Sequence, residues 1–184
     1  FFKKNNTKPN YDLVFIGNLS YAPNVDVVEY IYNDLLEKLI EIRPEIKILI
    51  SGSNPSKKIL KYTNKNITIQ EWIPDIRTAY NNGKIFIAPL RIGTGLQNKL
   101  LEAMSLQLPC ITTDLANMGL GAEHGKELFI ANNDKEFVEI IEKLLNSKDT
   151  MIQIGENARA FVKSNFDWEK SSDELMKNFS IKRT

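Results

Sequence analysis

The chain has 184 residues, of which 42% are hydrophobic and 26% charged, and its formal net charge at pH 7 is +1. This is the composition of a globular domain with a sizeable core, and the small net charge argues against electrostatic binding of nucleic acid or of an anionic membrane. One cysteine and one histidine exclude an internal disulfide and argue against a metal cluster. No apolar run approaches the roughly 20 residues that a membrane-spanning helix requires.

Apolar segments that predict β-strands alternate with helical patterns along the chain. The strand candidates are 12–16, 46–50, 67–69, 85–90, 110–113 and 128–131. Apolar residues three and four apart predict a helix over 24–43, with Asn24 as its N-cap and Pro44 as its stop. Other helical segments are predicted at 55–62, 75–81, 97–106, 137–145 and 154–162, with a glycine-containing loop at 114–127.

Six strands separated by helices predict an α/β fold with a doubly wound, mostly parallel, Rossmann-like sheet. The usual strand order, 3-2-1-4-5-6, makes strands one and four neighbours at the switch point, where ligands bind outside the carboxyl ends of the strands. Gly17 ends strand one, and the turn at 91–97 follows strand four. We therefore expect these two loops to face one another.

The strongest functional signal is the stretch 93–104, which reads GTGLQNKLLEAM. A glycine-rich turn that leaves a strand and opens a helix presents backbone N–H groups at the positive end of a dipole, which suits a phosphate. Lys99 and Glu102 follow on the first turns of that helix. A cation and a carboxylate at this place could serve one nucleotide, the first its phosphates and the second its ribose hydroxyls.

Each candidate residue also has a purely structural interpretation, as a turn, a packing contact or a surface charge. These candidates are Gly17, Gly52, Trp72, Ile73, Arg91, Gly93, Gly95, Lys99 and Glu102. His124 lies in a glycine-rich loop without a serine or cysteine nucleophile beside it, and Cys110 is predicted to be a small buried hydrophobe. The chain has no hydrolase triad, no P-loop motif and no Gly-x-Gly-x-x-Gly after strand one.

Taken in order, these motifs resemble the C-terminal half of the group 1 glycosyltransferases over about residues 11–180. The residues that carry the resemblance are Phe15-Ile16-Gly17-Asn18, Pro23-Asn24, the stretch 93–104, Pro109, Thr112 and Thr113, and more loosely Gly119 to Ala131. The resemblance implies a retaining enzyme of the GT-B fold. Residues 1–10 would then be a linker remnant, 11–166 the nucleotide-sugar-binding domain, and 167–184 a terminal helix that packs toward a missing N-terminal domain.

The resemblance also implies roles for individual residues. Glu102 would hold the ribose hydroxyls, and backbone amides around Gly95, Leu96 and Gln97 would cap the diphosphate. Trp72 and Ile73 would frame the base, and Gly17 would allow close approach of the sugar diphosphate. The predicted donor site further includes Asn18, Gly52, Gly93 and Thr94.

Two departures from the family pattern change what we expect. The family commonly has a second glutamate eight residues before the position of Glu102, where this chain has Thr94. It often has Arg and Lys after strand one to grip the diphosphate, where this chain has Asn18 and Asn24. We therefore expect Arg91 and Lys99 to stabilise the diphosphate.

The resemblance implies transfer of a sugar from a UDP-sugar or GDP-sugar to an acceptor hydroxyl with retention, without a metal or other cofactor. The expected partners are the donor, the missing N-terminal domain and a saccharide or lipid-linked acceptor, and no nucleic acid. We expect a bacterial, cytoplasmic enzyme of polysaccharide biosynthesis, peripheral at the inner membrane if the missing half binds there, and a fragment that is inactive alone.

Two alternatives stay open. A sugar-nucleotide 2-epimerase shares the two-domain architecture but needs several catalytic carboxylates and histidines, for which this half offers only His124 with Glu102 or Glu123. A non-catalytic, phosphate-responsive module of flavodoxin-like topology would need an acidic cluster after strand one, and residues 17–20 contain none.

Overall fold

The computed structural model describes residues 8–71, 73–93 and 95–166. In this part of the chain, six strands form one sheet in which every neighbouring pair is parallel, in the order β3-β2-β1-β4-β5-β6. The strands are β1 (Tyr11–Ile16), β2 (Ile48–Ser51), β3 (Ile67–Gln70), β4 (Gly83–Ala88), β5 (Cys110–Thr112) and β6 (Phe129–Ile130). The predicted strand order and fold class are confirmed.

Helices connect the strands and cover the sheet. They are α1 (Ala22–Tyr30), α2 (Leu36–Ile42), α3 (Lys57–Leu60), α4 (Ile76–Asn81), α5 (Asn98–Ser105), α6 (Asp114–Asn117), α7 (Asp134–Asn146) and α8 (Lys148–Asn165). A π-helical turn, Ile31–Leu35, joins α1 to α2, so the predicted long helix is one continuous helical segment. The four-residue helix α6 lies in the predicted loop, where the Thr113 side chain accepts a hydrogen bond from the Ala116 amide and caps it.

The core lies on both faces of the sheet because crossover helices cover both faces of a parallel sheet. In β1 and β4, the residues from Leu13 to Phe15 and from Ile85 to Ala88 are fully buried. The rings of Phe15 and Phe86 stack with their centroids 6.5 Å apart across the two central strands. These two buried strands therefore position the carboxyl edge of the sheet. The candidate loops emerge from that edge.

The predicted N-cap at Asn24 is wrong. The helix begins at Ala22 with Tyr21 as its N-cap, because Pro23 fits the first turn of a helix, where its missing N–H costs nothing. Asn24 is instead buried inside the first turn, and its amide donates to the Asn18 carbonyl at 2.9 Å. The helical segment ends at Ile42 with Arg43 as its C-cap, just before Pro44.

Several predictions fall on residues outside the described ranges. These are most of the linker remnant at 1–10, the terminal helix at 167–184, and the side chains of Trp72 and Thr94. The domain boundaries therefore stay predictions. Among the described helices, none is both long and apolar enough to cross a membrane.

Candidate functional site

A cleft of about 400 Å³ opens at the carboxyl edge of the sheet, beside the switch point between β1 and β4. Loops after β1, β2 and β3 form one side of it, and α5 forms the other. Its volume lies within the range of small-molecule sites, roughly 300–1,000 Å³. The lining residues are Ile16, Gly17, Asn18, Asn24, Ser51, Gly52, Ser53, Ile73, Ile76, Tyr80, Lys99 and Glu102.

Lys99 brings a positive charge to this cleft from the first turn of α5. Its ammonium donates to the Asn24 side-chain oxygen and lies 5.4 Å from the centre of the Phe15 ring. No carboxylate of the described residues lies within 4.0 Å of it. Burial lowers the pKa of Lys99 to about 8, against the opposing pull of Glu102, so the side chain is still mainly protonated at pH 7. The cleft thus holds a cation without a paired anion.

Glu102 lies one turn further along α5 and, among the described residues, carries the only carboxylate that lines the cleft. The hydroxyl of Tyr80 donates to its Oε2 atom at 2.7 Å. Tyr80 reaches it from α4 and is fully buried. None of the hydrogen bonds found among the described residues uses the Oε1 atom of Glu102, which leaves an acceptor for a ligand in the cleft.

Gly17 and Gly52 line the cleft, and both are required by packing within the protein. A Cβ atom at Gly52 would lie 1.6 Å from the Gly17 carbonyl oxygen, which no backbone can tolerate. A Cβ atom at Gly17 would lie 2.7 Å from the side-chain nitrogen of Asn24. The glycine after β1 therefore makes room for Asn24, the residue that accepts the hydrogen bond from Lys99.

The glycine-rich turn before α5 has the left-handed backbone that its sequence predicts. Gly93 has φ +116° and Gly95 has φ +81°, conformations that L side chains rarely adopt. Gly119 packs against this turn, since a Cβ atom there would lie 2.7 Å from the Gly95 carbonyl carbon. Gln97 is the N-cap of α5, without a side-chain capping bond, and Leu96 is exposed. None of these residues belongs to the cleft lining.

Arg91 does not line the cleft either. Its guanidinium forms a two-pronged ion pair with Asp26, at 2.7 and 3.0 Å, and lies over the Tyr30 ring at 4.7 Å. The hydrogen bond with Asp26 raises the pKa of Arg91 further above its ordinary value. Its charge is already compensated on α1, in contrast to that of Lys99.

The structure thus brings together six of the predicted site residues and leaves five others outside the cleft. Gly17, Asn18, Gly52, Ile73, Lys99 and Glu102 line it, whereas Arg91, Gly93, Gly95, Leu96 and Gln97 do not. Sequence reasoning missed Ile16, Ser51, Ser53, Ile76 and Tyr80 as lining residues, and it mistook Asn24 for a helix cap. The two serines could have been found, because they flank the carboxyl end of β2; no local signal marks Tyr80.

His124 and Cys110 have structural surroundings. The Nδ1 atom of His124 accepts a hydrogen bond from the Ile130 amide at 2.9 Å, and its ring meets that of Phe129 edge-on. Neither His124 nor Glu123 lines the cleft. Cys110 is buried as predicted, and burial raises the pKa of its thiol. The described residues include no group of three His, Cys, Asp or Glu that could hold a metal ion.

Comparison with known sequences gives the family. The sequence profile of the family described as "Glycosyl transferases group 1" matches residues 10–147, a range that contains all six strands and the whole cleft. The chain is a group 1 glycosyltransferase sequence. The resemblance drawn from its motifs is therefore confirmed at the level of the family.

Two curated relatives of this glycosyltransferase chain are bacterial proteins. An uncharacterised 44.6 kDa protein in the cps region of Klebsiella pneumoniae is 28% identical over 178 residues, which cover 91% of this chain and 46% of that protein. The capsular polysaccharide biosynthesis glycosyltransferase CapM of Staphylococcus aureus is 29% identical over 139 residues, 71% of this chain and 36% of CapM. The chain thus spans less than half the length of these relatives.

Solved structures share the fold of this glycosyltransferase chain. TarM of Staphylococcus aureus, solved with fondaparinux, α-GlcNAc-glycerol and UDP, matches with a TM-score of 0.78 at 16% identity, over 95% of this chain and 36% of TarM. HepE of Anabaena, solved with UDP, matches with a TM-score of 0.75 at 14% identity, over 93% of this chain and 49% of HepE. The C-terminal domain of a glycosyl transferase group 1 family protein from Francisella tularensis matches with a TM-score of 0.68 at 12% identity. The match covers 91% of this chain and 96% of that domain.

Proposed function

We propose that this chain is the donor-binding half of its glycosyltransferase and that the cleft takes the nucleoside diphosphate of a sugar donor, with UDP as the favoured nucleotide. Lys99 binds the diphosphate, and Glu102 accepts hydrogen bonds from the ribose hydroxyls. Ile73 and Ile76 give the base an apolar wall. The match to a separately solved C-terminal domain supports the assignment to the C-terminal half, and the UDP complexes of TarM and HepE support the choice of uracil.

One observation carries this proposal: the unpaired Lys99 ammonium faces the same cleft as Glu102, at the positive end of α5. A half-buried cation without a counter-ion is costly, and an anionic ligand relieves that cost. A diphosphate at a helix N-terminus also gains from the dipole. Arg91 remains a predicted diphosphate contact, for which its guanidinium would have to leave Asp26.

During sugar transfer, negative charge accumulates on the leaving diphosphate. An ammonium that is fixed before the reaction at the positive end of α5 stabilises this charge without reorganisation. Retention at the anomeric carbon, the acceptor and any membrane association depend on the part of the enzyme outside this chain, and we propose them on the family resemblance alone. This scheme requires no metal, and the absence of a metal requirement stays a prediction.

The test measures the thermal unfolding of the 184-residue chain in the presence of UDP, GDP, ADP or CDP, since a nucleotide that binds stabilises the folded chain. UDP at 100 times its dissociation constant should raise the free energy of unfolding by about 2.7 kcal/mol. Glu102→Ala should abolish most of this increase, because the ribose loses its acceptor. The matched control is Glu139→Ala, which removes an exposed carboxylate on α7 and should leave the UDP effect unchanged. Absence of stabilisation by all four nucleotides would refute the donor site.

A further inference from the structure

Resting on the proposed donor site, we infer that Tyr80 is a positioning residue that fixes the Glu102 carboxylate and thereby sets the selectivity for ribose over deoxyribose. Tyr80 lies on α4, 22 residues before Glu102 in sequence, and its hydroxyl donates to Oε2 at 2.7 Å. The acceptor is a carboxylate, and a hydrogen bond to an ionised acceptor is about twice as strong as one between neutral groups.

The phenol is itself held rigidly. Tyr80 is fully buried, and its ring packs against Phe86 of β4 with centroids 5.5 Å apart. Burial, with the nearby Glu102 charge, raises the pKa of Tyr80 far above its ordinary value. The hydroxyl therefore stays protonated throughout the physiological range and remains a donor. The Glu102 carboxylate at 2.7 Å is its nearer acceptor, and the Lys99 carbonyl lies at 3.4 Å.

This arrangement prepares Glu102 for a ligand. A free glutamate side chain loses roughly 1.5–2 kcal/mol of rotamer entropy when it is immobilised. Here the bond to Tyr80 imposes much of that loss during folding, so that less is lost when the ligand binds. Tyr80 bonds to Oε2, whereas Oε1 accepts none of the hydrogen bonds found among the described residues, and Glu102 lines the cleft. A carboxylate fixed in this way meets two neighbouring ribose hydroxyls in one orientation.

A fixed acceptor also discriminates. A site built to accept a hydroxyl rejects an analogue without that hydroxyl, because its polar group then lacks a partner. A mobile carboxylate could turn to water instead and would discriminate less. Ribose selectivity is therefore the quantity that should report on Tyr80. A defect confined to folding would lower the affinities for the ribose and the deoxyribose ligand alike.

The experiment measures binding of UDP and of 2′-deoxy-UDP to the wild-type chain and to Tyr80→Phe by calorimetry. The wild type should prefer UDP by about tenfold, as expected for one lost hydrogen bond to a charged group. Tyr80→Phe removes only the hydroxyl and should weaken UDP binding by about three- to tenfold while bringing the two affinities closer together. In a Glu102→Ala background, Tyr80→Phe should have no further effect on UDP affinity.

The control is Tyr32→Phe, whose ring stacks on Tyr62 at 4.3 Å, away from the cleft. It should preserve both affinities and their ratio. An unchanged ratio in Tyr80→Phe, with UDP still bound by the wild type, would overturn the role of Tyr80 and leave the donor site intact. A wild type that does not bind UDP would overturn both proposals. If Tyr80→Phe does not fold, the wild-type ratio decides, since equal affinities for UDP and 2′-deoxy-UDP would overturn the inference.

Discussion

Lys99 is the residue whose charge decides how the cleft behaves, and that charge is sensitive to pH. Burial lowers the pKa of Lys99 to about 8. The ammonium form binds the diphosphate, so UDP affinity should fall as the pH rises above 8, approaching a tenfold loss per pH unit. Calorimetric titrations from pH 7 to pH 9 test this, because the terminal phosphate of the nucleotide, with a pKa near 6, is already ionised there.

The variant that isolates this effect is Lys99→Met, which keeps the apolar stem and removes the charge. Its UDP affinity should be lower at pH 7 and nearly independent of pH up to 9. The ligand-free protein offers a second measurement. Because the folded-state pKa lies below the unfolded value, the wild type should gain stability relative to Lys99→Met as the pH rises from about 8 to about 10.4. A pH dependence of binding that persists in the variant would assign the titration to another group.

The same residues show how far sequence alone can lead. Lys99 and Glu102 could be predicted together, because they lie three residues apart on one helix that follows a glycine-rich turn. Their partners could not be predicted. Asn24 meets Lys99 from 75 residues away, and Tyr80 meets Glu102 from 22 residues away, so both contacts exist only after the sheet has formed. Periodicity marks Tyr80 merely as a core residue.

Among the elements, the end of α5 carries a backbone that its sequence does not favour. Gln107 follows the C-cap with φ +61°, and the amides of Leu108 and Gln107 donate to the carbonyls of Ala103 and Met104 at 3.1 and 3.0 Å. This is the Schellman ending, which glycine usually adopts. Gln107→Gly should therefore stabilise the domain by about 0.5–1 kcal/mol, the relief of the left-handed strain less the greater freedom of glycine in the unfolded chain.

Urea unfolding of wild type, Gln107→Gly and Gln107→Ala separates the backbone effect from loss of the side chain. Alanine removes the glutamine side chain and retains a Cβ atom, so it should show no comparable gain. The Gln107 carbonyl also abuts α8, where a Cβ atom at Gly155 would lie 2.3 Å from it. If glycine and alanine gave equal stability, the left-handed conformation would not be the source of strain.

The boundaries of an element can be predicted where its periodic pattern is long. They cannot be predicted where packing alone determines whether the element forms. The helix predicted at 97–106 is α5 (Asn98–Ser105), because its buried residues recur at helical spacing. The four residues of α6 are too few to establish a period, and their helix depends on the Thr113 cap, which is itself buried beside the Leu90 carbonyl. Of the strand candidate 128–131, only Phe129–Ile130 forms β6, at the edge of the sheet.

On the scale of the whole molecule, the two edges of the sheet have different roles: the amino edge stabilises the fold, and the carboxyl edge holds the binding cleft. At the amino edge, the buried carboxylate of Asp12 accepts hydrogen bonds from the Lys84 ammonium at 2.7 Å and from the Lys47 amide at 3.1 Å. It thereby ties β1 to the starts of β2 and β4. The cleft lies at the carboxyl edge, five residues further along β1, which corresponds to about 16 Å in an extended strand.

At such a separation, substitutions at the two edges should act independently. Asp12→Asn keeps the shape of the side chain and removes its charge, and it should lower the free energy of unfolding by about 1–3 kcal/mol, since a buried acceptor of two donors is weakened. It should leave UDP affinity unchanged. Glu102→Ala should differ from it in losing UDP affinity. Urea unfolding and UDP titration of both variants decide the matter: an Asp12→Asn protein that folds but binds UDP weakly would show that the amino edge also shapes the cleft.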